Sequence, residues 1–141
     1  MKILYTAQAI SQGGRDGRVR IENNPFLELE LAVPAAMNGS GKAGVNPEQL
    51  FAAGYAACFE SAILHVARRR QLNLRSTSVT AEVGIGPNHQ GGYTLEVSIT
   101  ATLSGVDQAT ADTLIQEAHQ ICPYSNATRG NIPVAVSARV E

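Results

Sequence analysis

Charge is scarce in this chain. Charged residues fill 16% of its 141 positions, against about 25% in an average soluble protein, so there is less polar surface than a monomer carries, which points to an oligomer. The 11 Lys and Arg nearly cancel the 12 Asp and Glu, leaving a formal charge of -1. There is no basic field to draw phosphate backbones or anionic lipid, which argues against a nucleic-acid or membrane partner. Cysteine is almost absent as well. Cys58 and Cys122 lie 64 residues apart, a spacing that excludes a CxxC redox motif and a zinc ribbon. Internal repeats, low-complexity stretches and linkers are lacking, so the expectation is one domain over residues 1–141, long enough to bury roughly 68% of its unfolded surface. Met1-Lys2-Ile3-Leu4-Tyr5 lacks the zones of a secretory signal, and a cytoplasmic location is expected. The apolar run from Leu50 to Ala67 approaches membrane-spanning length, but it contains Glu60 and His65 and is mostly Ala, which suits a buried helix of a soluble protein.

What is present is mainly alternation. Apolar residues recur at every second position over Ile3–Ala9, Phe26–Val33 and Ser78–Ile85, and further strands are expected at Tyr93–Leu103 and Val134–Val140. A period of two with polar residues on the other face predicts antiparallel sheet, wet on one side and packed on helices on the other. The runs Gly13–Gly17 and Pro87–Gly92 read as hairpin turns. Two segments change period. Asn46, Pro47 and Gln49 form a capping box, opening a helix to about Arg70. Asp107 can cap a second helix with apolar Leu114, Ile115, Ala118, Ile121 and Cys122, which Pro123 interrupts. The predicted class is α+β.

Three readings of the cysteines are open on composition alone: two buried thiols acting as small hydrophobes, a structural disulfide, which a reducing cytosol disfavours, or a reactive pair. On a helix Cys58 shares a face with Leu50, Gly54, Ser61, Ala62 and His65, and Phe51, Tyr55 and Phe59 form a neighbouring aromatic stripe. That stripe serves as core or as a pocket for an apolar substrate. A reactive thiol needs positive charge nearby to become the nucleophilic thiolate. Arg15 and Arg18 in the glycine-rich turn could supply it or be ordinary solvated charges, and Glu48 could hold such an arginine or simply favour the helix N-terminus.

Three stretches carry a specific likeness: Gly13-Gly14-Arg15-Asp16-Gly17-Arg18, Asn46 to Phe59 (NPEQLFAAGYAACF), and His119 to Asn131 (HQICPYSNATRGN). They resemble the signature segments of the organic hydroperoxide resistance (Ohr) subgroup of the Ohr/OsmC family, in order and over the whole length. The resemblance implies an intertwined homodimer, with antiparallel sheets wrapped around long central helices and two sites at the subunit interface. It implies that Cys58 is the peroxidatic thiol, Cys122 the resolving thiol, Arg15 the activating cation and Glu48 the carboxylate that holds Arg15. The implied substrate is an organic hydroperoxide, the implied reductant a dithiol such as a lipoylated protein, and no metal or flavin is required. Phe51, Tyr55 and Phe59 are then expected to favour apolar substrates.

The departures from the family pattern are Ser61 in place of the frequent Gly, Glu60 two residues from Cys58, Val45 in place of Thr, and a weak match over Val19–Pro25. Helix geometry turns Glu60 to the far side of the helix from Cys58. It also puts Glu48 and Cys58, ten residues apart, about 15 Å from each other, too far for one arginine to join them within a chain. Arg15 and Glu48 are therefore expected to serve Cys58 of the other subunit. The competing readings are a Cys/His hydrolase using His65 or His119, a metal held by His119 and Cys122, and a non-catalytic module for a lipid-like ligand. Two ligands are short of the four a structural zinc wants, and both histidines suit packing or surface roles. Asn126-Ala127-Thr128 matches a glycosylation sequon, an accidental match in a chain without a secretory signal.

Overall fold

The computed structural model describes residues 1–22 and 27–141. They fall into two compact units, residues 1–50 and 51–141, and the chain is α+β. In the first unit, β1 (Ala9–Gln12), β2 (Arg18–Ile21) and β3 (Leu27–Glu30) form an antiparallel sheet in that order. The β1–β2 connection is the expected glycine-rich turn. Gly13 and Gly14 have φ of 82° and 61°, a left-handed region that glycine enters freely. A Cβ on Gly17 would stand 1.8 Å from the Gln12 carbonyl oxygen, so only glycine closes the turn.

The first strand lies later than its alternation suggests. Pairing among the described residues starts at Ala9, opposite Ile21, and residues 1–7 are outside any strand. Ile3, Leu4 and Tyr5 stay exposed. Of the strand expected over Phe26–Val33, Phe26 lies outside the described residues, Leu27–Glu30 is strand, and Leu31 adds an isolated parallel bridge to Val45.

The helix α1 (Pro47–Arg69) starts where its cap requires. The Gln49 backbone N–H donates to Asn46 Oδ1 at 2.8 Å, and Gln49 Oε1 accepts from the Asn46 N–H at 2.9 Å, the reciprocal capping box. At the other end Gln71 takes φ of 57°, while the N–H groups of Leu72 and Gln71 donate to the carbonyls of Ala67 and Arg68. This is a Schellman closure that satisfies two terminal carbonyls. Among the described helices α1 alone is long and apolar enough to cross a membrane. Its Tyr55, Phe59, Ala62, Ile63, Val66 and Ala67 are nevertheless buried against the protein's own core.

In the second unit, β4 (Ser76–Pro87) and β5 (Tyr93–Ser104) form a long antiparallel hairpin through the expected 88–92 turn. Then follow α2 (Gln108–Ile121), α3 (Pro123–Thr128) and β6 (Val134–Val140). Asp107 caps α2, accepting from the Thr110 N–H at 2.8 Å. Two expectations are corrected here. The sheet is mixed, because β6 pairs with β5 in parallel; alternation tells which side chains share a face but not the direction of the chain, and the α2–α3 connection is the helical crossover that a parallel pair requires. Pro123 ends one helix and also occupies the first turn of the next, where its missing N–H costs nothing. The core joins Val97, Ile99, Ala101 and Leu103 of β5 with Ala111, Leu114, Ile115 and Ala118 of α2 and the buried face of α1.

Candidate active site

Both cysteines are free thiols, Cys58 half-buried and Cys122 fully buried. Cys58 stands at the middle of α1, while Cys122 is both the last residue of the α2 cap and the N-cap of α3. The break between two helices thus delivers Cys122 to the core against which Cys58 packs, close enough that Cys122 and the backbone N–H of Tyr124 both influence the Cys58 thiol. Burial is the largest influence on Cys58 and pushes its pKa above the ordinary thiol value. The Tyr124 N–H opposes that rise, and the neighbouring Cys122 reinforces it. The thiol in this environment is protonated at neutral pH, and its ionisation calls for added positive charge.

Tyr124 also brings its ring to α1. It packs 5.9 Å from Phe51 and 5.5 Å from Tyr55, centroid to centroid. Gly54 makes room for it, since a Cβ there would lie 2.7 Å from Tyr124 Oη and 3.2 Å from its Cζ. Phe51 and Tyr124, with Tyr93, Leu95 and Ile132, line a cavity of about 570 Å³. That is room for a small apolar ligand.

In the first unit Arg15 and Glu48 form a bidentate pair. Arg15 Nη1 donates to Glu48 Oε2 at 2.8 Å and Nη2 to Oε1 at 2.7 Å, the fork geometry in which both oxygens are matched. The guanidinium holds the Glu48 carboxyl below its ordinary range. Arg18 is engaged elsewhere, 3.4 Å from Glu28 on the neighbouring strand.

The comparisons with known proteins agree with this architecture. Residues 39–137 match the family model described as OsmC-like protein. The chain is 47% identical over 137 residues to the organic hydroperoxide resistance protein of Xanthomonas axonopodis pv. citri, covering 96% of this chain and 95% of that one. The chain belongs to the OsmC-like family, among the organic hydroperoxide resistance proteins. The Elizabethkingia anophelis structure of that name superposes on this OsmC-like chain with a TM-score of 0.95 at 47% identity, covering all of both chains. A Vibrio cholerae structure described as a putative organic hydroperoxide resistance protein, with captopril in one of its active sites, gives 0.91 at 51% identity, covering 98% of this chain and 94% of that one.

Within this OsmC-like chain the expected substrate wall divides. Phe51 lines the cavity, whereas Tyr55 and Phe59 are 0% exposed and belong to the core, because the aromatic stripe is the face that α1 turns inward. Glu60 is directed to β4, accepting from Thr77 Oγ1 at 2.6 Å. His119 Nδ1 is 2.8 Å from Ser125 Oγ, and no group of three or more metal-binding side chains occurs among the described residues. Pattern reading overlooked Tyr124 and the hydroxyls of Ser125 and Thr128, both of which Tyr55 engages. Pro123 following Cys122 was the available signal, since proline opens helices as readily as it ends them.

Proposed function

We propose that this protein is a cysteine-based peroxidase that reduces organic hydroperoxides to alcohols, with Cys58 as peroxidatic and Cys122 as resolving thiol. The observation that carries the reading is the meeting of a half-buried and a fully buried thiol at a helix junction. Arg15, held by Glu48, supplies the charge that ionises Cys58. The Cys58 thiolate attacks the distal oxygen of the hydroperoxide, and the O–O bond breaks. The leaving alkoxide takes a proton to become the alcohol, and Cys58 becomes a sulfenic acid. The Cys122 thiol then displaces that oxygen as water, giving a Cys58–Cys122 disulfide, and an external dithiol restores both thiols by exchange. The cavity beside Phe51 and Tyr124 favours alkyl and fatty-acyl chains over hydrogen peroxide.

The working unit is a cytoplasmic homodimer, a reading supported by the low charge content and the exposed Ile3, Leu4 and Tyr5. Intact-mass analysis after one equivalent of cumene hydroperoxide is the direct test. Loss of two hydrogens, mapped to a Cys58–Cys122 bridge, is expected; two intact thiols would instead favour a non-catalytic module for an apolar ligand. Sharing across the interface has its own test. In a mixed dimer of Cys58→Ser and Arg15→Ala chains, sharing leaves one site lacking both groups and the other complete, so half the wild-type activity is expected. Near-background activity would place Arg15 with the Cys58 of its own chain.

A further inference from the structure

Tyr124 is fixed at several points around Cys58. Its carbonyl accepts from Thr128 Oγ1 at 2.9 Å, its ring lies where Gly54 lacks a side chain, and its backbone N–H acts on the Cys58 thiol in favour of the thiolate. Behind it is a buried hydroxyl cluster. Tyr55 Oη, on α1, shares hydrogen bonds with Ser125 Oγ at 3.0 Å and Thr128 Oγ1 at 3.3 Å, both on α3. Ser125 Oγ in turn pairs with His119 Nδ1, on α2. Tyr55 and Ser125 are 0% exposed and Thr128 is buried. Three helices are therefore tied by one set of hydroxyls, with Tyr55 one turn before Cys58 on α1 and Ser125 three residues after Cys122.

We infer that Tyr55, Ser125 and Thr128 are positioning residues, a hydrogen-bonded clamp that holds the first turn of α3 on α1 so that the Tyr124 N–H stays on the Cys58 sulfur. The inference rests on the reading of Cys58 as the nucleophile. A buried hydroxyl without a partner is costly, so the core would be cheaper with Phe, Ala and Val at these places unless the register of α3 mattered. Nearby groups that titrate or carry charge are Cys122, Tyr55 and Tyr124, together with His119 and Arg129, whose Nη2 donates to the His119 carbonyl. Burial, followed by Arg129, lowers the His119 pKa, so the imidazole is neutral at neutral pH and the clamp has no charge of its own. Its effect on Cys58 is exerted through the placement of one N–H.

The test follows the pH dependence of Cys58 alkylation by iodoacetamide, read by peptide mass in the full-length protein. Tyr55→Phe and Ser125→Ala each keep the packing but remove a hydroxyl. Both are expected to move the alkylation midpoint to higher pH and to slow the reaction at pH 7 by about three- to tenfold. Ser125→Thr keeps the hydroxyl and is expected to restore the wild-type profile. Unchanged profiles in folded Tyr55→Phe and Ser125→Ala proteins, or a Thr variant as impaired as the Ala one, would overturn the clamp. Should the variants not fold, hydrogen exchange in the wild type decides: a Tyr124 amide as protected as the α1 core supports the clamp, and one exchanging like an exposed loop refutes it. Absence of hydroperoxide reduction by the wild type would remove the peroxidase reading but leave these measurements to judge the clamp.

Discussion

Cys58→Ser is expected to abolish hydroperoxide reduction, a loss on the order of 10³-fold or more, because a serine hydroxyl at neutral pH is neither ionised nor able to carry the oxygen as a sulfenic acid. The substitution is nearly isosteric at a half-buried position, so the fold survives and a steady-state assay with cumene hydroperoxide and a dithiol reads chemistry. Cys122→Ser separates the two thiols. Cys58 still attacks, so the first turnover proceeds, but its sulfenic acid has no neighbour with which to condense. Mass spectra should then show added oxygen on Cys58, increasing with each further equivalent of peroxide, where the wild type shows only the disulfide. Equal turnover by Cys58→Ser and wild type would contradict the proposed nucleophile.

The elements legible in the sequence are those decided within a few residues. The Asn46–Gln49 box, the Asp107 cap and the glycine turn at 13–17 formed as expected, because each is a bargain between neighbouring backbone and side chain. Strand direction was not legible: β6 alternates in the same way whether it runs with or against β5. Nor was the fate of Tyr55 and Phe59, since helical spacing puts them on a common face without saying what covers it. The bond between Tyr55 and Ser125 spans 70 residues of sequence, a separation at which no local pattern pairs them. The juxtaposition of Cys58 and Cys122 is of the same kind. Spacing alone left open unrelated thiols, a structural disulfide and a reactive pair, and only the likeness of three long motifs chose among them in expectation.

Arg15→Ala should produce the second-largest effect, a fall in activity of about 10²-fold at pH 7 with a rise toward wild-type rates as the pH is raised. The direction follows from Cys58 itself. Burial already holds its pKa above the ordinary value, so without a guanidinium the thiolate fraction at neutral pH is small and grows with pH. Arg15→Lys keeps the charge but loses the fork that matches both Glu48 oxygens, and an intermediate loss is expected. Global unfolding does not account for such a result, because the Arg15 side chain is 39% exposed against 12% for Glu48, and a pair with one partner open to solvent contributes about 1 kcal/mol. The small stability term has a definite sign. Glu48 is held below its ordinary 4.5 by Arg15, so the pair's contribution is fully present above that pH and is lost as the pH falls through the lowered folded-state value. Urea midpoints of wild type and Arg15→Ala should therefore differ most near neutrality and converge in acid, while the activity gap narrows only toward alkaline pH. A loss of activity that tracked the stability difference at both ends would assign Arg15 to folding and leave Cys58 without its cation.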